Sequence, residues 1–161
     1  MVTYRTAKCK SFLGLQYVHN IFEDNHPVNS VYLSGNGPLV QVLTNALGSN
    51  AFVKAIRNIE DDYLQRGAHD FNKNVIVFDE GQRAWDKKQM TDKKRGHNVS
   101  EPDVMVKLAE DRLEWCVLLV LVGEGQEIHN GENAGVAQWN DALNNSSIPW
   151  EVVCPDKLLH I

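Results

Sequence analysis

The chain has 161 residues, a length that suits one domain, and 43% hydrophobic with 23% charged residues is the composition of a soluble globular protein. A formal net charge of −5 argues against coating nucleic acid by charge alone, although it leaves room for a local basic groove. With no apolar run near the ~18 residues of a membrane span and no signal-like segment at the start, no membrane contact and a cytoplasmic location are expected.

"SFLGLQYVHNIFED" carries Phe12, Leu15, Val18, His19 and Phe22 close to helical spacing, and Asn25, His26 and Pro27 end that helix. "NSVYLSGNGPL" predicts a short strand, Val31 to Ser34, stopped by a turn that Gly35 and Gly37 make sterically easy. Pro38 fits the first turn of a helix through "PLVQVLTNAL", where its missing N–H costs nothing. A second helix is expected from "NAFVKAIRNIEDDYLQR", ending before Gly67. "VIVFD" is then an apolar strand. "RAWDKKQMTDKKRGHN" has no clear periodicity and is expected as a polar loop. Its Arg83, Lys87, Lys88, Lys93, Lys94 and Arg95, with Trp85 nearby, form either a solvated surface or a grip on single strands by charge and stacking.

Ser100 is a natural cap for a helix from about Glu101 to Arg112, with Pro102 in its first turn. "WCVLLVLVG" is an uninterrupted apolar strand, "NGENAGVAQWNDAL" a helix, and "WEVVC" a last strand. Trp115, Trp139 and Trp150 are expected in the core, as are Cys116 and Cys154. Cys9, Cys116 and Cys154 give neither a disulfide framework nor a zinc knuckle. Fully apolar strands separated by helices imply a three-layer α/β fold, a mainly parallel sheet with helices on both faces.

In such a sheet ligands gather beyond the carboxyl ends of the strands. Asp79 and Glu80 end one strand, "GEGQE" ends another and "SGNGP" a third. An apolar strand running into Asp-Glu suits nucleotide hydrolysis, one acid on Mg²⁺ and the next on the attacking water. The matching phosphate cradle would read G-x-x-x-x-G-K-[ST]. In "VTYRTAKCKSFLGLQ" Lys10-Ser11 opens a helix as that motif does, but Tyr4 and Cys9 hold the glycine positions. A Cβ there costs about 1–3 kcal/mol if the loop geometry is kept, and otherwise the nest of amides is lost. Arg5, Lys8 and Lys10 read equally well as a solvated basic end.

Together "VYLSGNGPLVQVLTNAL", "VIVFDEGQRAWD", "SEPD" and "LVGEGQEIHNGENAGVAQWNDAL" resemble the Schlafen group-3-like DNA/RNA helicase domain family, from about Lys10 to the end. Its members are P-loop NTPases related to superfamily 1 helicases. The resemblance implies a single RecA-like P-loop NTPase lobe over residues 1–161, the second helicase lobe absent, with ATP and Mg²⁺ as cofactors. It implies Lys10 as the Walker A lysine, Ser11 and Asp79 as metal ligands, and Glu80 as the catalytic carboxylate of Walker B. Gln82 and Arg83 continue that nucleotide-binding motif, and Gly81 stands where the family usually has Ala, a mild change. Gly123, Glu124 and Gln126 resemble the motif whose glutamine senses the γ-phosphate. Ser34, Gly35 and Asn36 fall where related helicases touch single-stranded DNA or RNA.

A second lobe normally supplies an arginine finger, whose loss costs ~10³–10⁵ in rate. The expected function is therefore an ATP-binding or ATPase lobe with impaired or partner-dependent hydrolysis. The missing lobe also leaves apolar surface for self-association. The alternative is a non-catalytic, degenerate module that keeps the fold and binds protein or nucleic acid. A third reading is an unrelated α/β enzyme with Asp79 and Glu80 as an acid–base pair.

Overall fold

The computed structural model describes residues 29–47, 53–66, 71–93, 97–112, 115–123 and 132–153. The first expected helix, Tyr4, Cys9, Lys10, Ser11, Glu124, Gln126, His129 and Cys154 lie outside them.

Four strands form one parallel sheet: β1 (Ser30–Ser34), β2 (Val53–Ala55), β3 (Val75–Phe78) and β4 (Val117–Val120), in the order β2-β1-β3-β4. The helices are α1 (Gly37–Leu47), α2 (Ile56–Arg66), α3 (Lys87–Lys93), α4 (Glu101–Glu110) and α5 (Glu132–Asn144), with a short 3-10 helix at Gly81–Arg83. Strand alternation sends side chains to both faces, and here both are covered. Val31, Leu33, Ile76, Phe78, Leu118 and Val120 pack with α2, α4 and α5 on one face. Tyr32, Val53, Val75, Val77 and Leu119 pack with Val40 and Leu43 of α1 on the other. That double burial is why the strands are apolar throughout. The arrangement is the RecA-like α/β fold. Among the described residues no helix is long and apolar enough to cross a membrane.

Four expectations need correction. The helix expected through "NAFVKAIRNIEDDYLQR" begins only at Ile56, because Val53–Ala55 pair with Tyr32, Leu33 and Ser34 instead. A β-branched Val53 beside an open strand edge gains more from the ladder and its burial than from one more helical turn. The polar stretch after Arg83 contains α3, started by a reciprocal cap: Asp86 Oδ1 accepts from Gln89 N at 2.6 Å and Gln89 Oε1 from Asp86 N at 3.1 Å. Met90, wholly buried, anchors this helix. Residues 151–153 of the expected last strand form none, and Val152 and Val153 are exposed, for no ladder partner faces them among the described residues. Trp115 is 44% exposed rather than in the core, since β4 starts only at Val117, whereas Trp139 is fully buried and Trp150 packs against the core edge.

Candidate functional site

From β1 the chain moves through α1 to β2 on one side of the sheet, and β3 lies on the other side of β1. Connections therefore part between β1 and β3, and a crevice opens beyond their carboxyl ends, the usual ligand position of an open α/β sheet. Ser34 ends β1 and Asp79 follows β3, and the crevice falls between them. Asp79 N donates to Leu33 O at 2.9 Å, which extends the ladder one residue past β3. Its side chain is thereby held almost entirely out of solvent, 3% exposed, with Ser34 Oγ donating to Oδ2 over a long 3.4 Å.

Glu80 turns the chain away from the sheet. Its backbone is left-handed, φ 55° and ψ 46°, the one non-glycine residue with positive φ among those described. A side chain there costs roughly 1 kcal/mol or more, and such strain gathers at functional sites. Three bonds enforce the turn: Gly81 N to Leu121 O at 2.7 Å, Arg83 N to Glu80 O at 2.8 Å, and Trp139 Nε1 to Gly81 O at 2.9 Å. Gly81 is not interchangeable with Ala in this setting. A Cβ would stand 2.2 Å from Val120 Cγ1, on a stiff β-branched side chain.

Gln82 joins β3 to the segment after β4. Its Oε1 accepts from Gly123 N at 2.8 Å and its Nε2 donates to Glu80 Oε2 at 2.5 Å. Only one orientation of the amide meets both an N–H and a carboxylate, so the pair fixes the side chain. Gln82 is 6% exposed, and Arg83 Nε lies 3.8 Å from Glu80 Oε2. Asn36 organises the β1 side: its N–H donates to Ser34 Oγ at 3.2 Å and its Oδ1 caps α1 at Leu39 N, also 3.2 Å.

These residues surround a cleft of about 570 Å³ that reaches from Gly35 and Asn36 across Asp79 and Glu80 to Arg83 and Trp85. That volume is within the ordinary range for small-ligand sites. Ser34, Gly35, Asn36, Asp79, Glu80, Gln82, Arg83 and Gly123 thus meet at one rim, while Lys10, Ser11 and Gln126 lie outside the described residues. The sequence reading placed Trp85 among the lysines of its loop. Instead it turns into the cleft, with Arg57 Cζ 4.9 Å from its ring centroid, while Lys87 pairs with Asp103 at 3.7 Å elsewhere. Arg57 and Glu101 were missed; neither stands near a recognisable motif, and only the packing of α2 and α4 brings them in.

The donor set suits a hard cation. Mg²⁺ bound with phosphates needs only one or two protein carboxylates, and Asp79 with the Ser34 hydroxyl beside it offers oxygen ligands alone. A family model described as Schlafen group 3, DNA/RNA helicase domain, matches residues 9–160. No curated protein and no solved structure gave a match.

Proposed function

The chain belongs to the Schlafen group 3 DNA/RNA helicase domain family, and from that premise we propose that it binds a nucleoside triphosphate with Mg²⁺ at the rim of β1, β3 and β4. The observation that carries this reading is the meeting of Asp79, Glu80, Gln82 and Gly123 at one point, reached from strands far apart in the chain. Asp79 would hold the metal, with Lys10 and Ser11 as the phosphate-side partners suggested by sequence. Bound Mg²⁺ would offset charge on the phosphate oxygens.

Glu80 projects from a strained, thrice-braced turn, a geometry suited to orienting a water and taking its proton. Gln82 holds that carboxylate against Gly123, so a shift in the segment carrying Gln126 would move Glu80 as well. Arg83 sits on the same turn, 3.8 Å from Glu80, and balances its charge rather than reaching over a substrate from outside. Hydrolysis by this chain alone is proposed to be slow, because Tyr4 and Cys9 replace the glycines that let amides approach phosphate.

Titration calorimetry with MgATP tests the reading. Binding in the micromolar to millimolar range is expected for the wild type, and about tenfold or greater loss in Asp79→Asn. Glu80→Gln should keep binding and lower any turnover by ~10²-fold or more. If neither wild type nor a Tyr4→Gly/Cys9→Gly variant binds nucleotide, the nucleotide reading is wrong. If only the glycine variant binds, the non-catalytic module is the right description.

A further inference from the structure

The cleft holds a feature that nucleotide hydrolysis does not use. Trp85 is fixed at both backbone atoms: its N–H donates to Glu101 Oε2 at 2.9 Å, and its carbonyl accepts from Glu101 N at 3.0 Å. Glu101 is itself 5% exposed, and the indole packs partly against the core, so the ring is held rigid by two elements. One side of it lies under the guanidinium of Arg57, on an exposed position of α2. A rigid indole face covered by a movable cation is a surface that a planar base can enter, with the displaced cation free to meet the attached phosphate.

The acids of the cleft do not oppose this. Asp79 and Glu101 are buried, while Arg57 and Arg83 are exposed and only Glu80, paired with Arg83, offsets them. Across the cleft Gly35 and Asn36 present backbone and a short amide, a shape that admits a chain rather than a bulky side chain. We infer that Trp85, covered by Arg57, is a base-stacking platform for single-stranded nucleic acid in the cleft between β1 and β3. The family membership supports the class of ligand; the platform does not depend on nucleotide binding at the acids.

Fluorescence anisotropy with labelled oligo-dT and oligo-rU of roughly ten nucleotides tests this, within the span such sites cover. Trp85→Ala should weaken binding by roughly 5- to 150-fold with the salt dependence unchanged, as the loss of stacking predicts. Arg57→Ala should weaken it and lower the salt slope by about one, as the loss of a phosphate contact predicts. Trp85→Phe, which keeps a ring, should retain most of the affinity and serves if Trp85→Ala fails to fold. Calorimetry with MgATP on the same variants should show no change. Oligomer binding that depends on Trp85 in a chain that binds no ATP would sustain the platform and end the nucleotide reading. The inference is overturned if the wild type binds neither oligomer, or if folded Trp85→Ala or Trp85→Phe with Arg57→Ala binds as tightly as wild type. It is equally overturned if Trp85→Ala loses ATP and oligomer together, since the nucleotide would then occupy the platform.

Discussion

Gly81 lies between two acids that are easy to see in the sequence and a valine that is not. A methyl group at this position meets Val120 at 2.2 Å, with the Leu121 carbonyl and the Trp139 indole close behind. Gly81→Ala is therefore expected to destabilise the chain by about 1–3 kcal/mol, a cost typical of overpacking. Thermal denaturation should show a fall of several degrees, and adding Val120→Ala should recover part of it. A melting point unchanged by Gly81→Ala would show that the turn yields freely. Cys116 supports a second residue-scale expectation. Burial raises its thiol to about 11, against a smaller opposing influence from Arg112. Peptide-resolved alkylation near pH 8 should label Cys116 about two orders of magnitude more slowly than an ordinary thiol, because only the thiolate attacks. Asp79 and Glu80 were legible because they are adjacent and end an apolar strand. Ser34 beneath Asp79 and Arg57 over Trp85 were not, because contacts between distant segments leave no local pattern.

At the scale of elements, α5 is tied to the site by one residue. Trp139 packs edge-on against Phe78, ring centroids 5.0 Å apart at 75°, and donates to Gly81 O. Trp139→Phe keeps a ring but leaves the Gly81 carbonyl without that donor, which should cost about 1–3 kcal/mol in denaturant unfolding. It should also loosen the turn that aims Glu80, so any turnover should fall further than the stability loss explains. The start of α4 is a capping box, with Ser100 Oγ accepting from Asp103 N at 3.2 Å and Asp103 Oδ2 from Ser100 N at 2.9 Å. Ser100→Ala should cost about 1 kcal/mol, read as a shift of the unfolding midpoint. That cap was readable because Ser-x-x-Asp precedes an apolar run. Asp86 and Gln89 make the same kind of cap, yet the surrounding lysines hid it behind a stretch that looked like solvated loop. β2 was hidden for the opposite reason: Val53 to Ala55 continue smoothly into a helical pattern, and only the edge of β1 selects the strand.

At the scale of the whole molecule, strand order determines where chemistry gathers. A parallel sheet whose connections part between β1 and β3 must open a crevice there, and the apolar strands and helix spacing in the sequence implied such a sheet. Sequence did not reveal the order of the strands, since pairing depends on which face each crossing helix covers. The account therefore turns on whether the carboxylate delivered by β3 into that crevice holds a metal together with a nucleotide. Electron paramagnetic resonance of Mn²⁺, titrated into the protein with and without ATP, addresses this directly. The wild type should sequester Mn²⁺ only when ATP is present, and Asp79→Asn, nearly the same in shape, should lose that ATP-dependent uptake at least tenfold. Equal Mn²⁺ uptake by wild type and Asp79→Asn in the presence of ATP, or none by either, would contradict it.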